Sequence, residues 1–271
     1  MYRKLLLVLL IFGFTACSKV PSLNKRVETA NKILDLHRVN RQVIKTINFD
    51  FFLLKSRVDK NCNTLRLYIE GDGLSWISSS IVSKDPTPIN PLAMRLFSKD
   101  SEQCIAYVAR PCQYIKNSNC NKRYWTNARF SKKVVSAYVE LLNILKENNN
   151  FKSIELIGYS GGATIALLIA SQRDDIIKVT TVAGNLNHSL WTKNKGYTSL
   201  YNSLNPIDFI NKLRNIKQVH FIGKEDKVIQ KSVSSSYLNY FKSNPKVKSI
   251  IFKGFSHHQG WVENWPELLE L

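Results

Sequence analysis

The chain has 271 residues, 44% of them hydrophobic and 22% charged, which is enough for a full buried core and unlike a disordered or fibrous composition. Its formal charge of +19 at pH 7 is spread along the whole length, with no dense basic block and no zinc or helix-turn-helix pattern. That distribution makes no case for nucleic acid as a partner. It suits an anionic membrane surface or an acidic ligand better.

Residues 1–16 carry Arg3-Lys4, an apolar run from Leu5 to Phe14, and the small residues Thr15-Ala16. These are the three parts of an export signal, and the apolar run is too short to span a bilayer. Phe14-Thr15-Ala16-Cys17 resembles a bacterial lipobox, which implies cleavage before Cys17 and acylation of its sulfur and new amino terminus. Several acyl chains together make a stable anchor where one does not. Ser18 fits an outer-membrane destination in a Gram-negative envelope, facing the periplasm. Polar residues 18–26 then read as a tether, with the main domain expected over 27–271.

From Val27 to Val39 the apolar positions Ala30, Ile33, Leu34 and Leu36 recur at helical spacing, with His37 as a packing or surface residue. The β-branched and aromatic stretch Ile44–Val58 predicts one or two strands, and Leu65–Glu70 another. The latter runs into the loop Gly71-Asp72-Gly73. Prolines at 86, 88 and 91 forbid one regular element over 75–100, so a loop and short helix over the site are expected there. Cys104–Ala109 reads as the next strand. Phe130–Leu145 reads as a helix with a broad apolar face, stopped by Asn148-Asn149-Asn150.

The stretch Ile154–Ile169 is the centre of the chain. An apolar strand runs into Gly158-Tyr159-Ser160-Gly161-Gly162, and a small-residue helix follows. This is G-x-S-x-G in the strand-turn-helix setting that lifts a serine hydroxyl to the carboxyl edge of a sheet. Ile176–Val182 predicts the following strand, ending near His188. A less regular segment with Trp191 comes next, and Pro206 opens a helix that contains Asp208. Strands at Gln218–Ile222 and Lys248–Phe252 run into Asp226 and His257 respectively. A closing helix carries Trp265 and Leu268-Leu269.

A serine hydroxyl needs an imidazole to take its proton and an acid to hold that imidazole in the right tautomer. Ser160, Asp226 and His257 supply the set, each at the carboxyl end of an expected strand. Alternatives are His258, set one residue further from the strand, and Glu225 or Asp208 for the acid; His220 lies within a strand and reads as a core residue. Tyr159, His188, Trp191 and His258 are candidates to line a substrate pocket.

With Ser, Asp and His in that order on alternating strands and helices, residues 44–271 resemble the α/β-hydrolase superfamily. Glu70-Gly-Asp-Gly73, Asp85-Pro-Thr-Pro88, Arg110-Pro-Cys112 and Ser203-Leu-Asn-Pro206 add a likeness to a bacterial envelope subgroup of serine hydrolases. The resemblance implies a mostly parallel central sheet flanked by helices, with a lid-like insertion and no cofactor. It also implies an oxyanion hole from the main-chain N–H groups of Asp72 and Gly161. Glu70 stands where many relatives have histidine, and the Asp72 carboxylate is expected to point away from the site. Of the three pairings open to Cys62, Cys104, Cys112 and Cys120, this fold favours Cys62–Cys104 and Cys112–Cys120, since the strands after Cys62 and Cys104 become parallel neighbours. No cysteine and histidine spacing suggests a metal. The implied activity is hydrolysis of a carboxylic ester, with a lysophospholipid or acylglycerol beside the membrane as the substrate type. A peptidase or amidase on the same residues, or a catalytically silent envelope binding protein, are the alternatives.

Overall fold

The computed structural model describes residues 20–34, 39–56 and 62–271. The export signal, Cys17 and His37 lie outside them. The elements are α1 (Leu23–Leu34), β1 (Val39–Lys45), β2 (Asp50–Ser56), β3 (Thr64–Ile69), α2 (Leu92–Lys99), β4 (Ile105–Val108), α3 (Lys132–Asn149), β5 (Ser153–Tyr159), α4 (Gly161–Ala170), β6 (Ile176–Val182), α5 (His188–Lys195), α6 (Ile210–Leu213), β7 (Lys217–Gly223), α7 (Lys231–Leu238), β8 (Val247–Phe252) and α8 (Trp265–Leu269). The strands form one sheet in the order β1-β2-β4-β3-β5-β6-β7-β8. The first two joins, β1 to β2 and β2 to β4, are antiparallel, and all the others are parallel.

The central strands are buried on both faces, which is why β4 and β5 are nearly continuous apolar runs. Two cores result. One packs α3, α4, α6 and α7 against Leu67, Ile69, Leu156 and Val179. The other packs α1, α2 and α8 against Tyr68, Tyr107, Ile157 and Phe221. Helix α4 is buried along its whole length, so its sequence has no polar face, and its one hydroxyl, on Thr164, donates to the Asn185 carbonyl. Helix α3 starts where the Ser131 side chain accepts the Val134 N–H, and stops at Asn150 in the left-handed region.

Several expected boundaries move. Helix α1 starts at Leu23, inside the stretch read as tether, because the Arg26 side chain is buried and donates to the carbonyls of Asp85 and Thr87. Its described residues run to Leu34, and Val39, the last residue of the expected helix, belongs to β1. The 75–100 segment is irregular up to α2, and α2 packs on the sheet through Leu92, Met94, Leu96 and Phe97. Helices α5 and α7 were not legible in the sequence.

Both disulfides pair as the fold implies, Cys62 with Cys104 and Cys112 with Cys120. The first ties the starts of β3 and β4 across 42 residues of chain. Loop-closure entropy makes it the larger contributor, about 4 kcal/mol against roughly 2.5 for the shorter loop. Urea unfolding of Cys62→Ser/Cys104→Ser should therefore show a loss clearly exceeding that of Cys112→Ser/Cys120→Ser; the reverse order would contradict this reading.

Candidate active site

Ser160 sits between β5 and α4 with φ of 52°, the strained turn that its glycine neighbours permit. A Cβ at Gly158 would strike the start of α4, and one at Gly162 would strike the carbonyls of Ile69 and Glu70. These contacts let strand, turn and helix close up beneath the serine.

The sheet brings the three sequence-predicted residues together. His257 Nε2 lies 3.1 Å from Ser160 Oγ, and His257 Nδ1 lies 2.8 Å from Asp226 Oδ2. The other Asp226 oxygen accepts the N–H groups of Val228 and Ile229, both at 2.8 Å, so the carboxylate cannot rotate away. Asp226 and His257 are buried, while Ser160 keeps partial access to solvent. The arrangement puts the proton of His257 on Nδ1 and leaves Nε2 to accept the serine proton.

The alternatives fall elsewhere. His258 is exposed, with Nδ1 2.7 Å from the Tyr159 hydroxyl. Glu225 is exposed and accepts the Gly254 N–H. Asp208 lies in the first turn after Pro206. His220 is fully buried between Thr181 and Gln218, and burial pushes its pKa down to about 3. It is a neutral core residue.

The pocket candidates separate by role. Tyr159 is buried, donates to the His257 carbonyl and lies under its ring at 5.3 Å, so it braces the imidazole. Trp191 donates to the Val228 carbonyl and thus braces the Asp226 loop. His188 is buried against Phe130, and burial lowers its pKa. Its Nε2 lies 3.0 Å from the Leu204 carbonyl oxygen, while Nδ1 is buried with no partner among the described residues.

The loop after β3 lies against the start of α4: a Cβ on Gly161 would strike the Asp72 carboxylate. That carboxylate, expected to point away from the site, is turned to two arginines. It is held by Arg110 at 2.8 Å and Arg129 at 2.6 Å, both buried. Burial alone would raise its pKa, but the two guanidiniums outweigh it and hold the carboxyl below its ordinary value. Two cations on one anion leave a net positive charge beside the turn. Gln113, fully buried, fixes the same loop by donating to the Gly71 carbonyl. Arg110, Gln113 and Arg129 were not among the sequence candidates; only Arg110-Pro-Cys112 had drawn notice.

Glu70 is a structural carboxylate. It accepts the N–H of Gly71 at 2.8 Å, those of Ala93 and Met94 at 3.3 Å, and the Tyr107 hydroxyl. It thereby caps α2, whose own cap residue, Pro91, makes no side-chain bond. Burial pushes its pKa from 4.5 up to about 7, despite these bonds. A raised folded-state pKa means stability that is full below pH 4.5 and falls as pH rises through 7, by about 3 kcal/mol. Glu70→Gln should flatten that part of the pH–stability curve measured by urea unfolding. An unchanged slope would show that Glu70 does not cause it.

The profile of the FSH1 serine hydrolase family matches residues 93–258, a stretch that includes Ser160, Asp226 and His257. No curated protein sequence matches the chain. Among solved structures the chain is similar to the Pyrococcus furiosus esterase Pf2001, with a TM-score of 0.61 and 14% identity over 89% of this chain and 91% of that one. It is also similar to Est1E from Butyrivibrio proteoclasticus, with 0.59 and 13% over 85% and 96%. An α/β serine hydrolase homologue from Coxiella burnetii gives 0.54 and 16% over 85% and 94%. At such identities these likenesses establish the fold, an α/β hydrolase, and the profile match over more than half of the length establishes the family: the chain belongs to the FSH1 serine hydrolases.

Proposed function

We propose that the protein cleaves a carboxylic ester through an acyl-enzyme on Ser160. The observation that carries this is the continuous line from Asp226 through His257 to Ser160, at 2.8 and 3.1 Å. The Ser160 proton passes to His257 Nε2 as Oγ attacks the carbonyl carbon. The resulting O⁻ is held by the N–H of Gly161, which the helix leaves unpaired at its first turn, and by that of Asp72. Collapse breaks the ester C–O bond, and the leaving alkoxide takes the proton from His257. Water then repeats the sequence and frees the acid. An ester rather than an amide is favoured by the likeness to a protein described as an esterase.

The membrane attachment is likewise a proposal. It rests on the lipobox likeness at Cys17 and on the basic body. Mass analysis of the mature amino terminus tests it: a diacylglyceryl cysteine is expected, and an unmodified Cys17 would refute it.

For the activity, a fluorophosphonate probe should label Ser160, and p-nitrophenyl esters should turn over faster than the matching anilides. Ser160→Ala should abolish labelling and cut kcat by on the order of 10⁶. Labelling that persists in Ser160→Ala would sink the proposal.

A further inference from the structure

Four residues after Asp72 the chain leaves the protein body in a short projecting loop. Ser83 N–H donates to the Ser75 carbonyl at its base, and Ile77 N–H donates to the Ile81 carbonyl near its tip. Trp76 is 43% exposed, Ile77 46% and Ile81 55%. Three large apolar side chains on one small loop form a patch that water disfavours, whereas the sequence between them is only serines. Ile89, also exposed, lies beyond the base of the loop. Residues 73–84 contain no acid and end on exposed Lys84.

The base of the same loop is where the amino-terminal part of the fold arrives. Arg26 of α1 donates to the carbonyls of Asp85 and Thr87 and pairs with the Asp85 carboxylate. Cys17 precedes Ser22 by five residues, a reach of at most about 17 Å. A lipid on Cys17 would therefore hold this side of the molecule at a membrane. Exposed Trp and Ile without acids, on a protein of charge +19, match an anionic phospholipid surface in both polarity and sign.

We propose that the 75–83 loop inserts into the headgroup region of an anionic phospholipid bilayer and, being continuous with the Gly71–Gly73 loop, holds Ser160 at ester bonds presented by that surface. The surface itself stands on the loop and the position of α1. Only the substrate part rests on the ester-hydrolase reading above.

The chain from Val20 on carries every strand, helix and disulfide of the described residues, and without acyl groups its vesicle binding reports the protein surface, in which substitution separates the loop from the basic body. It should sediment with mixed phosphatidylcholine and phosphatidylglycerol vesicles. Ile77→Ser/Ile81→Ser should keep the thermal melting point, since both side chains are exposed, and lower the partition coefficient about tenfold or more. Raised salt should weaken binding of the unsubstituted chain but not abolish it. Absence of vesicle binding, or equal binding by the double variant, would overturn the proposal. So would a dimer that the double substitution dissociates, since a second copy would then be the occupant. Fluorophosphonate labelling separates the two readings. A chain that is labelled but never sediments defeats only the bilayer surface; one that sediments through the loop but is never labelled supports the surface and defeats the hydrolase site.

Discussion

Asp226→Asn should lower kcat on a p-nitrophenyl ester by on the order of 10⁴ while leaving the melting point nearly unchanged. Asp226 uses one oxygen for the N–H groups of Val228 and Ile229 and the other for His257 Nδ1. In the amide variant the carbonyl oxygen keeps the two backbone donors, so the NH₂ must face His257. The imidazole then places its proton on Nε2 and can no longer accept one from Ser160. The fold loses nothing, because every bond at the two N–H groups survives. Asp226→Ala should differ in kind: it adds a stability loss of about 1–3 kcal/mol, chiefly for the buried Ile229 N–H left without its partner. A fall of less than tenfold in the Asn variant would mean that Asp226 does not orient His257.

The second large effect belongs to the arginine pair. Removing either Arg110 or Arg129 leaves the partly buried Asp72 carboxylate with a single cation, and the cluster against Gly161 goes from net positive to neutral. Losing one of the two charge-assisted hydrogen bonds costs about 1.5–3 kcal/mol. In the proposed reaction, negative charge develops beside the same turn, so a net positive cluster favours the transition state and a neutral one does not. Arg129→Ala should thus lower kcat by roughly 10²-fold, on the scale of an oxyanion donor, with KM little changed. Asp72→Asn combined with Arg129→Ala should recover part of the kcat loss, because Arg110 then again leaves a net positive charge beside the turn. The measurements are kcat, KM and urea unfolding for the four proteins of that cycle. Destabilisation with kcat held within threefold would assign the cluster to folding alone.

The sequence by itself determined the architecture and the place of the serine turn. Strand periodicity and the apolar run before Gly158 are local signals, and β6 runs from Ile176 to Val182 as its β-branched residues require. The serine turn depends only on glycines within two residues of it. The order Ser160, Asp226, His257 was legible because each follows a strand, and parallel strands deliver their carboxyl ends to one edge.

Tertiary structure decided the rest. Helix α7 has the poor helix-forming sequence Lys-Ser-Val-Ser-Ser-Ser-Tyr-Leu, and it forms around Tyr237, which is buried against His220 and donates to Gln218. Helix α5 is largely polar and is held by its ends, an Asn187 cap and Gly196 at φ 65°. The choice between His257 and His258 came from which imidazole the loop turns inward, a difference of one residue. The partners of Asp72 lie 38 and 57 residues away along the chain. Ion pairing across such distances leaves no periodicity to read, and a partly buried carboxylate is intelligible only once the cations around it are placed.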